Sequence, residues 1–490
     1  MAVGFIERIS MKKFEKKEIY KKSKDISRWY TDVVLKSELA DYGPARGTMV
    51  IRPYGFAIWE RVQEIFNKMM KDYGVENAYF PLFIPYSLLE KEKEHVKGFS
   101  PELAVVTHGG GKKLKEPLVV RPTSETIMYE MYSKWIHSWR DLPVLINQWN
   151  NVVRWEMRTY LFLRTTEFLW QEGHTAHKTE EKAMEMVLKA LNWYREIYEK
   201  YFAMPVLYGA KSEAERFAGA KATYAIEALM PDGKALQAAT SHNLGQNFSK
   251  VFDISFQDKN GKNQYVWQTS WGLTTRALGG LFLVHGDDNG LVLPPKIAPI
   301  QVVIVPIYKD ANKKRVLKYA EKIEEKLQSE LRVKLDKREE YTPGYKFNEW
   351  ELKGVPLRLE IGEKELVESK VKAVKRVDMV GQIVLGIDDL VTQVRKLLDG
   401  IQISLFKRAE KFLKENTYKT DSYDEFKKIM GTKKGFIKAL WCGNPDCETK
   451  IKEETKATTR ALPFDERDKK GKCIYCKKEA IGQWIFAQAY

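Results

Sequence analysis

Between Asn150 and His177 the sequence NNVVRWEMRTYLFLRTTEFLWQEGHTAH sets three arginines (Arg154, Arg158, Arg164) and three glutamates (Glu156, Glu167, Glu172) among Phe, Leu and Trp. Isolated ionised groups are too costly to bury. Arg154, Glu156, Arg164 and Glu172 therefore either pair among themselves, as a salt-bridged sheet face, or meet a charged ligand across the sheet. A further cation, Arg276, falls in the first turn of a helix predicted to begin near Thr274. The helix dipole is positive there, so Arg276 needs an anion. Arginine suits bidentate contacts to phosphate better than lysine. No Cys, Ser–His or His–Asp pair stands out as a nucleophile with its base.

All four cysteines lie near the end of the chain, as Cys442, Cys447, Cys473 and Cys476. Two pairs at knuckle spacing can close four thiolates around zinc, and with sulfur at every position that metal is structural. The segment is rich in lysine and poor in core formers, so it needs such a cross-link to hold its shape. The same clustering argues against a disulfide-stapled secreted protein.

With 490 residues the chain has room for two to four domains. A composition 44% hydrophobic and 30% charged is that of an ordinary globular protein. No apolar run is long enough to span a bilayer, and the charged start MAVGFIERISMKKFEKK does not read as a signal peptide, so a cytoplasmic protein without a membrane partner is expected. The net charge of +16 favours a polyanionic partner, nucleic acid before an acidic membrane surface, unless it merely reflects a lysine-rich proteome.

The elements that must position these groups can be read in outline. Apolar runs on both sides of the charged stretch predict two buried antiparallel strands. Tyr54 to Tyr73 has helical apolar spacing and stops at Gly74, after which AYFPLFIP predicts a strand with Pro81 at an edge. Gly109-Gly110-Gly111 marks a hairpin tip. Pro117 to Arg121 predicts a short strand leading into Thr123-Ser124-Glu125 and a helix, where these residues could cap the helix or bind a ligand. Leu236 to Phe256 carries Gln237, Thr240 and His242; a lone His is more often a core residue than a ligand. Trp267 to Gly272 is a strand leading into the helix of Arg276. LPPKIAPI marks a boundary, beyond which QVVIVPIY, KRVLKYAEKIEEKLQ and VPLRLEIG alternate strand, helix and strand. Between that helix and second strand, a loop mixing Tyr, Phe and Trp with Lys and Arg suits splayed single-stranded bases, or is a packed loop with solvated lysines.

Arg-x-Glu, a loop, then Arg-x-x-x-Phe resembles motif 2 of the class II aminoacyl-tRNA synthetases. The helix, strand and Pro81 resemble motif 1, which forms the dimer interface, and TSWGLTTR resembles motif 3. With PTSE, TSHNLGQNFSKVF, PGYKFNEWELKGVPLR and the final FAQAY, the resemblance covers nearly the whole chain and is to prolyl-tRNA synthetases of the archaeal and eukaryotic type. It implies activation of L-proline by ATP with Mg²⁺, transfer to the 3′ end of tRNA(Pro), and a homodimer. It places ATP at Arg154, Glu156, Arg164, Thr165, Phe168, Gln237, Thr240, Thr274 and Arg276, with Arg154 and Arg276 catalytic. Proline falls to Thr123, Glu125, Arg154, Trp170, Glu172, His242 and Ser270, and the anticodon to Lys346, Glu349, Lys353 and Arg358.

The fold class expected is α+β. A basic extension spans 1–24, an antiparallel-sheet catalytic domain 25–295, an α/β anticodon-binding domain 296–400, and a small zinc-binding α+β domain 401–490. The interval from Glu172 to Arg276 reads as catalytic domain throughout, with no inserted editing module. Two rivals are a non-catalytic paralogue that binds tRNA or senses an amino acid, and a class II synthetase for another amino acid.

Overall fold

A computed structural model describes residues 18–91, 103–156, 158–377 and 382–490. The described residues form two compact units, one within 38–286, 293–299 and 399–490 and the other within 18–37, 287–292 and 300–398. Most of the expected basic extension, 1–17, lies outside the described residues.

In the first unit the run of helical apolar spacing forms helix α1 (Pro53–Lys71), which buries Ile58, Trp59, Val62, Phe66 and Met70. A seven-stranded sheet carries the charged stretch. Its strands are Glu76–Asn77 (β1), Val144–Val153 (β2), Glu167–His177 (β3), Leu207–Ala210 (β4), Ala222–Leu229 (β5), Ala235–Gly245 (β6) and Trp267–Thr274 (β7), ordered β1-β2-β3-β7-β6-β5-β4. Only β1 and β2 pair in parallel. Strands β2 and β3 pair antiparallel with Gln148 opposite Glu172 and Asn150 opposite Trp170, and the loop between them holds Arg154 to Arg164.

Side chains alternate across a strand, so the sheet has two different faces. One is covered by α1 and the helix Glu180–Glu196, where Phe66 packs with its ring centroid 5.3 Å from Tyr194, 6.1 Å from Trp193 and 6.2 Å from Trp271. Gly173 is required here: a Cβ on it would lie 2.2 Å from the Trp271 ring. The other face presents Trp170, Glu172 and His174 of β3 and Ser270 and Thr274 of β7 to a cavity. Helix α2 (Glu125–Trp135) and helix α3 (Arg276–His285) begin beside that cavity.

The hairpin expected at the glycine triplet is present, with strands Ala104–Gly109 and Lys112–Val120 and positive φ at Gly110 and Gly111. Of AYFPLFIP, only Phe83–Pro85 is strand, pairing with that hairpin.

The C-terminal residues belong to the same unit as the catalytic sheet. Thr417–Lys419, Phe436–Trp441, Ala457–Ala461 and Gly482–Gln488 form a four-stranded sheet, with helices over Tyr423–Thr432 and Pro445–Thr455 (α4). Leu462 joins the edge strand β4 by two backbone bonds with Ala210, of 3.0 and 2.7 Å.

In the second unit, strands Val302–Pro306, Val333–Leu335, Leu357–Ile361, Lys370–Lys375 and Ile383–Gly386 form a mixed sheet. Val302, Ile304, Leu357 and Leu359 pack with Val316, Ile323 and Leu390 in its core. The helix Ile26–Lys36, expected with the catalytic domain, lies in this unit, where Trp29 Nε1 donates to Asp287 O at 2.7 Å. The aromatic-and-cation stretch read as a loop contains a helix, Pro343–Leu352, capped by Thr342 with proline at its first position.

Candidate active site

Three guanidiniums converge above the sheet. Arg154 follows β2 directly, its backbone N bonded to Thr166 O at 2.9 Å. Its Nε donates to Pro122 O at 3.1 Å, and its guanidinium stands 5.6 Å from the Phe168 ring centroid and 5.5 Å from that of Trp170. Arg276 opens α3 and is held by Nε donation to Leu163 O at 3.0 Å, while its backbone N donates to Thr274 Oγ1 at 3.1 Å. Burial, then the charges of Arg154 and Arg164, push the Arg276 pKa down to about 10. Arg164 is half exposed at the outer end, 3.6 Å from Glu156 Oε2. Crowded cations of this kind are relieved by a polyanion. The cavity they line, about 180 Å³, also includes Thr165, Phe168 and Thr274.

A second cavity of about 280 Å³ shares Arg154, Phe168, Thr274 and Arg276 with the first, so the two meet at the pair of arginines. Thr123, Glu125, Trp170, Glu172, His242 and Ser270 all line it, as do Gln237 and Thr240. Thr123 Oγ1 donates to Glu125 Oε2. The buried Ser270 Oγ and Trp170 Nε1 have no hydrogen-bond partner among the described residues, and buried polar groups left open in this way suit a ligand. His242 stacks at 4.5 Å on Phe217 and bonds through Nδ1 to Thr223 Oγ1 at 2.9 Å. Burial lowers its pKa to about 4, so the ring is neutral at pH 7.

Glu172 is engaged by the protein itself. Its oxygens accept from Ser124 N at 3.1 Å, Ser124 Oγ, Gln148 Nε2 at 3.3 Å and Asn150 Nδ2 at 2.6 Å, and lie 3.0 Å from His174 Nε2. It ties the start of α2 to β2 and β3 and so sets where Thr123 and Glu125 stand. Burial disfavours the charged form of His174, but Glu125 and Glu172 outweigh it and hold its pKa above the ordinary value. His174, Phe217 and Thr223 are cavity residues absent from the sequence-based set. His174 has a sequence signal, two residues beyond Glu172 on a strand; Phe217, in an Ala- and Gly-rich stretch, has none.

In the second unit the anticodon candidates are placed unevenly. Lys346 is only 2% exposed and its Nζ donates to Asp336 O at 3.1 Å. Glu349 accepts from Arg338 Nη2 at 2.6 Å and Lys353 Nζ at 3.3 Å. The helix turns Lys346 and Glu349 into the domain, where they are bound to neighbours rather than presented to bases. Arg358 pairs with Glu360 at 2.9 Å and lies 4.1 Å from the Phe347 ring centroid, at a cavity of about 40 Å³ with Trp350, Glu351 and Lys375.

The four cysteine sulfurs lie within 4.8 Å of one another, Cys442 Sγ standing 3.8 Å from Cys447 Sγ and 3.6 Å from Cys476 Sγ. Metal–sulfur bonds of about 2.3 Å in a tetrahedron give sulfur–sulfur edges of about 3.8 Å, so the four thiols fit zinc.

Residues 107–283 match the family model described as tRNA synthetase class II core domain (G, H, P, S and T), 301–397 that of the anticodon binding domain, and 423–490 that of the prolyl-tRNA synthetase C-terminal region. A proline–tRNA ligase of Natranaerobius thermophilus is 55% identical over 97% of this chain and 98% of its own length. One from Alkaliphilus oremlandii is 53% identical over 95% and 96%, and proline–tRNA ligase 2 of Bacillus cereus 52% identical over 98% and 100%.

Proposed function

The chain belongs to the proline–tRNA ligases of the class II synthetases, and from that premise we propose how its residues join L-proline to tRNA(Pro) with ATP. The observation that carries the reading is the meeting of two cavities at Arg154 and Arg276. ATP occupies the cavity of Arg164, Glu156 and Phe168. The adenine lies on Phe168 and is read by Glu156, and the terminal phosphates reach Arg164 and Arg276. Proline occupies the other, its ammonium toward Glu125 and Thr123, its ring toward Phe217, His242 and Trp170, and its carboxylate toward Arg154.

The carboxylate is already ionised at pH 7 and needs no general base. It attacks the α-phosphorus in line as pyrophosphate departs, and the terminal ribose hydroxyl of tRNA then attacks the carbonyl carbon, forming the ester and releasing AMP. The protein's part is positioning, together with cations fixed where phosphate charge builds. Glu172 acts through Ser124 rather than by touching proline. The test is ATP–pyrophosphate exchange with each of the twenty amino acids. Proline alone should support fast exchange; exchange with another amino acid and not with proline would overturn the assignment.

Mg²⁺ accompanies the nucleotide in this reading, and zinc holds the cysteine cluster, whose sulfur spacing supports it. A homodimer is supported by large apolar side chains left exposed after α1, Tyr79 at 73% and Phe83 at 47%. Among the described residues no helix is long and apolar enough to cross a membrane; we place the enzyme in the cytoplasm with its tRNA. The archaeal and eukaryotic label rests on the motif 2 segment, PTSE, TSHNLGQNFSKVF, TSWGLTTR, PGYKFNEWELKGVPLR and the final FAQAY. The relatives named above are bacterial.

A further inference from the structure

The segment 211–221 joins β4 to β5 without regular structure, yet it brings Glu215 and Phe217 into the wall of the amino-acid cavity. A wall of irregular backbone keeps its shape only if its polar groups are tied down. At its far end Lys211 N donates to Thr223 O at 2.8 Å and Phe217 N to Thr223 Oγ1 at 3.0 Å. Lys221 N donates to Asn243 O at 2.8 Å and Asn247 Nδ2 to Gly219 O at 2.9 Å, and further ties come from the C-terminal domain. Ser212 Oγ accepts from Glu215 N at 3.3 Å and donates at 3.0 Å to Glu448 Oε1, which also accepts from Thr459 Oγ1. Lys211 Nζ stands between Glu215 at 3.6 Å and Glu227 at 3.5 Å. Glu227, on β5, takes a two-pronged contact from Arg460, Nε to Oε2 at 3.1 Å and Nη2 to Oε1 at 3.0 Å.

This cluster is buried: Glu227 is 0% and Arg460 4% exposed. Two cations, Lys211 and Arg460, face two carboxylates, the fully buried Glu227 and the partly exposed Glu215. Removing one member would leave the others buried and unpaired, which fixes the arrangement as a unit. Glu448 directly follows Cys447 in the first turn of α4, and Arg460 lies on the strand Ala457–Ala461. The order of the cysteine cluster is thus one hydrogen bond from the segment that walls the amino-acid cavity. Arg460 is also among the cations that lower the Arg276 pKa, after burial, Arg154 and Arg164.

We propose that Glu448 and Arg460 of the C-terminal domain are positioning residues for proline, holding segment 211–221 so that Phe217 meets the ring. This rests on the assignment of that cavity to proline. It gives the zinc-binding domain a part in amino-acid recognition, through a wall it supports rather than a residue that touches substrate.

The experiment is ATP–pyrophosphate exchange by the zinc-loaded full chain, with KM for proline and for ATP measured separately. The variants are Ser212→Ala, Glu448→Met, their double, and Phe217→Ala. Ser212→Ala removes the hydroxyl that bonds Glu215 and Glu448, and Glu448→Met removes the acceptor of Ser212 and Thr459 at similar side-chain size; both are gentler than Arg460→Met, which strands Glu227. Each should raise the proline KM on the order of tenfold, the size of a coupling between contacting groups, and the double should be no worse than the worse single. The ATP KM should stay within about twofold, a split that general loss of folded protein does not produce. An unchanged proline KM in Ser212→Ala and Glu448→Met, with Phe217→Ala raising it, would overturn the inference and keep the cavity assignment. An unchanged proline KM in Phe217→Ala would remove the cavity assignment and the inference with it.

Discussion

At the scale of single residues, the chemistry rests on charge held still. Arg154, proposed to meet both reacting partners, has its guanidinium set by Pro122 O and flanked by Phe168 and Trp170. Arg154→Ala should lower the exchange rate by about 100- to 1000-fold, as for loss of a preorganised oxyanion donor. Arg276→Ala should act mainly through the ATP KM; steady-state exchange kinetics separate the two, and equal effects of both variants on the ATP KM alone would contradict the roles assigned. A pH effect follows from His242. Its unfolded pKa of about 6.5 drops to about 4 on burial, so the stability it lends is complete above the unfolded value and lost as pH falls toward the folded one. His177, also buried with a pKa near 4, acts in the same direction. The loss from one such group is on the order of 3 kcal/mol at most. Thermal unfolding between pH 7 and 4.5 should show a smaller drop for His242→Gln than for the unaltered chain. Arg154 and Arg276 of the candidate site were legible in the sequence because burying them is expensive without an anion. Phe217 was not, since an aromatic in an irregular segment carries no sign of what it will face. Glu172 was read as a ligand because the sequence does not show that Ser124, Gln148, Asn150 and His174 fill its oxygens.

At the scale of elements, long periodic runs were legible and short or context-bound ones were not. The pattern from Tyr54 to Tyr73 gave helix α1 to within two residues at each end, and the apolar runs on both sides of the charged stretch gave β2 and β3. The stretch PGYKFNEWEL hid a helix because its apolar residues are sparse; Thr342 and Pro343 were the start signal. Lys346, Glu349 and Trp350 sit at helical spacing and meet Asp336 and Arg338, partners that only the sheet brings near. The three-residue strand Val333–Leu335 is too short for periodicity to mark. The cysteine pairs were plain, since ligand spacing is a local property. Cys442→Ser leaves three thiolates, and the segment 442–476 should exchange amide hydrogen faster and be cut sooner by protease, while the strands β2, β3 and β7 keep their protection. Metal analysis of protein prepared without chelator should find one zinc per chain, and well under one would count against the site.

At the scale of the whole molecule, the interval between Glu172 and Arg276 decides what the enzyme can correct. It is occupied by the helix Glu180–Glu196, by β4, β5, β6 and β7 of the catalytic sheet, and by a two-stranded ribbon, Ser255–Gln257 with Asn263–Tyr265. A separate hydrolytic module would need roughly 50 residues or more of its own. Selectivity against alanine must then come from the synthetic cavity. Alanine carries a primary ammonium in place of proline's secondary one and the same carboxylate, so in the proposed site Glu125 and Arg154 would meet it much as they meet proline. It lacks the ring methylenes that would pack on Phe217, His242 and Trp170, and each lost methylene is worth only about 1–3 kcal/mol of discrimination. Alanine is therefore expected to be activated at a low rate and, once esterified, to persist on the tRNA. With alanine, ATP and tRNA(Pro) supplied to the purified enzyme, Ala-tRNA should accumulate and decay no faster than it does in buffer. Rapid hydrolysis by the enzyme alone would mean that the catalytic unit or the C-terminal domain contains a second, hydrolytic centre.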